Sequence, residues 1–435
     1  MSKSNRRDFL KASAAAGVAA TVSSAGVFAA GNETIKIGLI GCGGRGMGAL
    51  LDSLEAEKEI NGANPKTEIV AVGDAFKHKA DGLLAAMKST DKKNKFLPFA
   101  SQIKVTPDTA FGGLDAYENV IKVSDLVILA TPPGFRPIHL EAAVRANKNI
   151  FCEKPVAVDA TGARKCYAVA DESAKKNIAI VAGTQRRHQK GYIETIAKLH
   201  NDKAIGEFVS ARCSWNGSPI WFHDRDKNMT DAQYQLNNWY HFLWVCGDHI
   251  VEQHVHNLDV INWIMNDHPV RAVGMGGRAT RKVGDPNEVG NIWDHYAVEY
   301  EYKNGVKLYS YCRHIPGQND VAEAVVGTKG RCRVDQYLIN GEKVSNDDIN
   351  AYVQEHIDLL NSIRAGKPLN ELKAVTESTF TAILGRNASY ACRTLKWDDA
   401  LAAGEDTMPK NLTMDSAIPV KAAPTPGAWQ LPPRA

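Results

Sequence analysis

The sequence predicts an α/β chain in two parts: a doubly wound parallel sheet first, then an α+β region with an open, largely antiparallel sheet. Three observations carry this. Short apolar runs alternate with helical stretches between residues 35 and 152, the order that builds parallel strands joined by right-handed helical crossovers. The first run, Ile35–Ile40, leads directly into Gly41-x-Gly43-x-x-Gly46. From about residue 270 strand-like segments recur, with period-two alternation such as Val298/Tyr300/Tyr302, the pattern of an antiparallel sheet with one buried face.

Each early element has a local justification. In the loop after the first strand, one glycine permits the tight turn, one lets backbone approach a pyrophosphate, and one lets helix pack on strand. Gly41, Gly43, Gly44, Arg45 and Gly46 thus form a Rossmann-type phosphate cradle. The helix from Met47 to about Lys58 offers it free N–H groups and the positive end of its dipole. The second strand, Glu68–Gly73, ends on Asp74. A carboxylate there accepts both ribose hydroxyls and repels a 2′-phosphate, which favours NAD over NADP. A helix N-cap is the other role open to Asp74, and the two are compatible. Asp74 lies farther along than the usual ~20 residues, so the first crossover carries an insertion. The third strand, Asp125–Ala130, ends in Thr131-Pro132-Pro133, and the fourth, Asn149–Cys152, in Glu153-Lys154-Pro155. Thr131, Pro132, Glu153 and Lys154 therefore stand beyond the carboxyl ends of strands, where ligands of such sheets bind.

The N-terminus carries a different message. Asn5-Arg6-Arg7-Asp8-Phe9-Leu10-Lys11 is followed by an uncharged, small-residue run from Ala12 to Ala30. This resembles a twin-arginine translocation signal, the route that exports folded proteins. A buried Ala-rich helix or a membrane anchor is the alternative, although so much Ala, Gly and Ser is marginal for a stable span. No other stretch is apolar enough to cross a bilayer, so the mature chain is expected not to be membrane-embedded and to be periplasmic or secreted. A nicotinamide cofactor is scarce outside the cytoplasm. An exported protein that uses one has to load it before export and hold it tightly.

Removing residues 1–31 leaves a length suited to two domains. Residues 32–155 are expected to form the nucleotide domain. Residues 156–435 are expected to form the substrate and oligomerisation domain, with late helices (350–400) packing back and a Pro-rich tail (422–435) as an extended strap. Hydrophobic content is 44% and charged content 23%, enough for a real core. A net charge of +3 gives no reason to expect nucleic acid. The eight cysteines form no Cys-x-x-Cys, which removes zinc-ribbon and thioredoxin readings.

Gly247–Trp263 reads as one helix, with Glu252, His256 and Asp259 at i, i+4 and i+7 on a single face. His249 lies one turn earlier on that face and His254 points elsewhere. Histidine suits proton removal near neutrality, and a carboxylate can orient it. The alternatives are a structural histidine or a metal held by His249, Glu252, His254 and His256, against which His254 and His256 would diverge around the helix. No metal is expected. Residues 215–244 hold four of the eight tryptophans, with Phe222, Tyr234, Tyr240 and Phe242 among amides and charges. Flat rings beside polar groups suit a carbohydrate. An aromatic cluster packing an insertion, or a subunit contact, suits the same residues.

The glycine loop, the acid after the second strand, Thr131-Pro132-Pro133, Glu153-Lys154-Pro155 and Gly183-Thr184-Gln185-Arg186-Arg187, in that order, resemble the Gfo/Idh/MocA oxidoreductases over nearly the whole mature chain. The resemblance implies that Lys154 stands beside the nicotinamide and contacts the reacting hydroxyl. It implies that His256 removes or returns the alcohol proton. Glu252 takes the acid position of that family's helix, where aspartate is commoner. Arg187, Trp221, Trp239 and Asp259 are the expected substrate contacts. The family's open sheet often pairs subunits, so a homo-oligomer, dimer or tetramer, is expected.

Three functions fit. The favoured one is an exported, NAD-retaining oxidoreductase acting on a secondary hydroxyl of a sugar or glycoside. A redox-neutral glycosidase that oxidises transiently at C3, eliminates, hydrates and re-reduces shares the same features. A non-catalytic sugar-binding protein is opposed by the intact Lys154, Glu252 and His256.

Overall fold

The computed structural model describes residues 33–281, 290–346 and 349–435; the export signal lies outside them. The first sheet contains β1 (Ile35–Ile40), β2 (Thr67–Asp74), β3 (Ala110–Gly112), β4 (Leu126–Leu129), β5 (Asn149–Cys152) and β6 (Ile180–Ala182). All pairings are parallel and the order is β3-β2-β1-β4-β5-β6. The order reverses between β1 and β4, which opens a crevice at their carboxyl ends.

The helix Gly44–Asn61 places Ala49, Leu50, Ser53, Leu54 and Glu57 on its buried stripe, the three-and-four spacing of a helix lying on a sheet. The buried acid is satisfied: Glu57 accepts from the Lys66 N–H and the Asn61 side chain and pairs with Arg364 at 2.6 Å. That pair ties the late helix Ala351–Arg364 to the nucleotide domain.

The second sheet contains β7 (Phe208–Gly217), β8 (Pro269–Gly277), β9 (His295–Tyr302), β10 (Lys307–His314), β11 (Asp320–Gly327), β12 (Gly330–Arg333), β13 (Leu338–Ile339), β14 (Glu342–Lys343) and β15 (Leu395–Lys396). Its order is β14-β13-β12-β11-β7-β10-β9-β8-β15. β7 and β10 run parallel and the other neighbours antiparallel. Tyr296, Val298, Tyr300, Tyr302 and Leu308 point into the core, toward the helices Val255–Met265 and Leu372–Ala391. Val273, Met275, Tyr309, Tyr311 and Val326 are exposed.

Three features differ from the sequence reading. β6 hydrogen-bonds to β5, so the nucleotide sheet continues past the boundary expected at 155; a three-residue strand leaves no period to read. β7, at the centre of the second sheet, was not anticipated, because it runs into the aromatic stretch. The third concerns Gly247–Trp263, which is not one helix. Gly247 and Asp248 both have positive φ (81° and 79°), and separate helices span His249–Glu252 and Val255–Met265. Between them the His254 N–H bonds the His249 carbonyl at 3.3 Å, a single i→i−5 wide turn of the kind found at functional sites. The entry is fixed by Asp248, whose buried carboxylate accepts from the N–H groups of His249 and Trp293 and the hydroxyls of Tyr296 and Tyr390. Those donors supply the hydrogen bonds that a buried carboxylate requires.

Candidate active site

Two adjoining cavities lie at the carboxyl ends of the parallel strands. The first, about 480 Å³, is floored by the glycine loop and edged by Asp74, Thr131 and Pro132. Gly41 has φ +103°, and a Cβ on Gly46 would stand 1.8 Å from the Gly41 carbonyl oxygen. A Cβ on Gly43 or Gly44 would meet no protein atom within 4 Å. The loop is therefore closed beneath and open above, with the first helix aimed at the open side. Asp74 accepts the Cys42 N–H at 2.8 Å and the Phe76 N–H at 2.9 Å, which locks its carboxylate at the rim. The N-cap of the next helix is Phe76. The cradle, the helix terminus and the rim carboxylate fit a nicotinamide dinucleotide. Lys79 also lines this cavity, a cation that the sequence reading did not single out.

The second cavity, about 240 Å³, is lined by Glu153, Lys154, Glu252 and His256 and shares Arg45, Ala130, Thr131 and Trp239 with the first. Arg45 leaves the glycine loop to bond Glu153 and approaches Glu355 to 3.7 Å. Burial, then the nearby Glu153, pushes the Glu355 carboxyl well above the usual range. The wide turn has a direct consequence here. It leaves the Glu252 carbonyl available to the Lys154 ammonium, which donates to it at 2.7 Å and to Glu252 Oε1 at 3.3 Å. Glu252 thus orients Lys154; the expectation that it orients His256 is not what this geometry provides. The His256 ring stacks on Trp215 with centroids 5.8 Å apart. Burial, then the cations Lys154 and Arg186, holds its imidazole far below the usual histidine value.

Behind Glu252 the interior is polar and underbonded. The Tyr240 hydroxyl lies beside the Glu252 carboxylate, and both ring nitrogens of His249 have no hydrogen-bond partner. Burial, then the Glu252 charge, raises the Tyr240 phenol well above its ordinary value. The sequence placed Tyr240 in the aromatic stretch, with nothing to mark its hydroxyl.

Other expected contacts fall elsewhere. Arg187 and Asp259 form a bidentate pair, with Nε to Oδ2 and a terminal nitrogen to Oδ1 both at 2.9 Å. Ser378 also donates to Asp259, at 2.7 Å. Neither Arg187 nor Asp259 lines either cavity; Asp259 lies one turn deeper than His256, against the helix Leu372–Ala391. His254 meets Ser310 at 2.7 Å, His249 lies against His314, and His256 faces Trp215. Among the described residues no three His, Cys, Asp or Glu side chains converge on a metal position. Trp221 and Trp239, 6.1 Å apart, line the first cavity together with the glycine loop, and Trp239 also reaches the second.

Family models match this chain in two blocks. The NAD-binding Rossmann fold of the Gfo/Idh/MocA oxidoreductases covers residues 35–181, and the C-terminal α/β domain of the same oxidoreductases covers 217–402. A twin-arginine translocation signal matches residues 3–23. An inositol 2-dehydrogenase of Cereibacter sphaeroides is 27% identical over 306 residues, 69% of this chain and 74% of that protein. One from Rhizobium meliloti is 24% identical over 265 residues, 61% of this chain and 64% of that protein. The solved apo scyllo-inositol dehydrogenase of Lactobacillus casei superposes with a TM-score of 0.60 at 17% identity, covering 84% of this chain and 99% of its own. The aldose-aldose oxidoreductase of Caulobacter crescentus, complexed with glycerol, gives 0.60 at 16% identity, covering 84% and 100%. At such identities the solved structures establish the fold. No helix among the described residues is long and apolar enough to cross a membrane.

Proposed function

The chain belongs to the Gfo/Idh/MocA family of NAD-dependent oxidoreductases, and from that premise we propose that it acts after export on a secondary hydroxyl of a sugar, polyol or glycoside, with NAD(H) retained on the protein. The observation that carries the reading is the placing of Lys154 and His256 on one small cavity that opens beside the dinucleotide cavity.

A bound NAD would supply the hydride acceptor; Gly43, Gly44, Arg45, Gly46, Asp74, Thr131 and Pro132 would hold it. The protein's own part is proton handling and charge. Oxidation of CH–OH to a ketone removes a hydroxyl proton as the C–H electron pair departs. The neutral His256 imidazole takes that proton. Lys154, held by the Glu252 carbonyl and Oε1, donates to the oxygen as negative charge grows on it. In reduction both transfers reverse. A cavity of about 240 Å³ is smaller than the ~300–1,000 Å³ of drug-sized sites, and its size suits a single ring. The inositol dehydrogenases among the relatives make cyclic polyols a natural first substrate class beside aldoses.

Export by the twin-arginine route carries folded protein, and its signal supports NAD loading before export to the periplasm or beyond. Turnover then needs a second carbohydrate or an electron carrier to reoxidise the bound NADH. The outer face of the second sheet, with Val273, Met275, Tyr309, Tyr311 and Val326 exposed, is an apolar surface suited to a second copy of the chain.

The test is incubation of natively purified protein with a panel of inositols, aldoses and glycosides. Nicotinamide absorbance, ketone formation and released aglycone would be read together. Ketone formation with reduction of bound cofactor supports the oxidoreductase. Aglycone release without net ketone would assign the redox-neutral glycosidase instead. Silence in all three readouts across the panel would reject both.

A further inference from the structure

We propose that residues 220–239, latched by the C-terminal segment 408–418, form the outer wall of the dinucleotide site, and that this latch sets how slowly the cofactor leaves. The inference rests on the reading that the first cavity takes a nicotinamide dinucleotide.

The cavity has two walls of different origin. The inner wall is the glycine loop and its sheet. The outer one is made by Trp221, His223, Leu236, Asn237 and Trp239, residues of the second domain. Residues 218–230 contain no helix or strand, so the wall is held by side chains. Asn238 bonds both the N–H and the carbonyl of His223, and a His241 ring nitrogen lies 2.7 Å from the Trp221 carbonyl oxygen. These contacts pin the loop to the helix Asp231–Asn237 and the turn that follows it.

That helix is in turn clamped from outside. The Thr230 hydroxyl donates to the Met414 carbonyl, the Ala232 N–H to Ser416 at 3.2 Å, and the Gln235 amide to Ile418. Carbonyls of alternate residues are used, and a turn between them, closed by the Ser416 N–H on the Thr413 carbonyl at 3.2 Å, holds the segment in shape. Burial alternates in step: Leu412, Met414, Ser416 and Ile418 are partly buried, and Thr413, Asp415 and Ala417 are exposed. Leu412, Met414 and Ile418 pack into one apolar cluster with Tyr234, Leu236 and Phe242 from the wall and with Phe76, Leu114 and Phe135 from the nucleotide domain. Phe76, Leu114, Phe135 and Leu236 also line the cavity. The same apolar contact therefore closes the site and binds the tail.

The latch is anchored on both sides. Upstream, Thr407 donates twice to Asp159 (2.7 and 2.8 Å) and Glu405 pairs with Arg386 in the core. Downstream, the Trp293 indole donates to the Pro424 carbonyl at 2.8 Å and the Gly427 N–H to Tyr390 at 2.9 Å. Between the anchors, residues 408–418 form no strand or helix. They can lift while both sheets stay intact, the low-stability local opening from which lids are drawn.

The experiment compares full-length Leu412→Ser/Ile418→Ser with the parent and with Asp415→Ala, which alters the outward side of the same segment. Each protein is purified natively, its dinucleotide content is measured after denaturation, and the release rate of bound cofactor is followed after dilution. The double variant is expected to release at least tenfold faster, to be purified with less than half the parent's content, and to rebind added NAD. Asp415→Ala is expected to match the parent. Release from the double variant within twofold of the parent would overturn the latch while leaving the dinucleotide site standing. A parent that neither carries nor binds NAD would overturn the functional reading and the latch together. If the double variant does not fold, Thr230→Val/Gln235→Leu removes two of the clamping hydrogen bonds and is held to the same criterion.

Discussion

The inner wall of the dinucleotide cavity and the proposed catalytic wall beside it are built on different principles. The inner wall is mostly backbone: the four glycines of the loop, a helix terminus and one carboxylate, all between Gly41 and Asp74. The catalytic wall is side chains brought together across the chain. Lys154 meets a residue 98 positions away, and the helix beside the outer wall is clamped by carbonyls more than 180 positions away. Backbone sites depend on φ angles and on the absence of a Cβ, so they are local. Side-chain sites depend on packing, and a change there can remove chemistry while leaving the binding scaffold intact.

That contrast is tested most severely by His256→Ala and Lys154→Ala. Each is expected to lower turnover by ~10²–10⁴-fold with bound dinucleotide unchanged. Loss of the cofactor along with activity would mean that the two walls are not separable. The inner wall can be broken by a methyl group. Gly46→Ala drives a Cβ into the Gly41 carbonyl and should cost about 1–3 kcal/mol or more of stability. Gly43→Ala finds open space, should melt like the nucleotide-free parent, and should lose nucleotide because it fills the cradle. Equal melting temperatures for the two variants would contradict the account of the loop.

Glu252→Gln sharpens the division within the catalytic wall. The carbonyl contact to Lys154 survives and the ion pair does not, so a loss of roughly tenfold is expected, the scale of one charge-assisted hydrogen bond. A loss equal to that of His256→Ala would instead make Glu252 part of the proton transfer. The pH profile offers a related check. His256 is held well below its ordinary 6.5, so its basic form persists into acid, and the acid limb of kcat/KM should lie below pH 6.5. Trp221→Ala should quicken dinucleotide release about two- to twelve-fold, the ~0.5–1.5 kcal/mol of an aromatic contact, with little change in KM for the polyol. The reverse pattern would return Trp221 to the sugar.

A stability effect concerns His188. His188 sits against Asp358 and Glu371 at 2.6 and 3.2 Å. Burial opposes its charge, but those two carboxylates prevail and raise its pKa to about 10. A raised folded pKa stabilises fully below the unfolded value near 6.5 and is lost as pH rises through 10. Melting temperature should therefore fall from pH 7 toward 10, on the order of 2–4 °C per kcal/mol lost. The fall should be smaller in His188→Gln; an identical slope would remove His188 from the explanation.

The parallel sheet and the glycine loop at Gly41–Gly46 were legible from the sequence, which also singled out Asp74, Lys154, Glu252 and His256 as candidates. The sheet and loop rest on short-range rules, apolar runs of strand length and the glycine spacing after the first strand; Lys154 stands at a strand end, and Glu252 and His256 were marked by their helical spacing and the family resemblance. What those residues touch was set by packing between distant segments. The apolar spacing of Gly247–Trp263 survives a wide turn unchanged, so the break that gives the Glu252 carbonyl to Lys154 left no mark in the pattern. Asp259 shared a helical face with His256 on paper, yet Arg187 and Ser378, from distant segments, claim it. Trp221 and Trp239 were marked as aromatic, but their place on the dinucleotide wall depends on a tail whose alternating Leu412, Met414 and Ile418 have no local partner. Periodicity records which side of an element is buried, and the partner on that side is set by packing between segments that the local pattern does not connect.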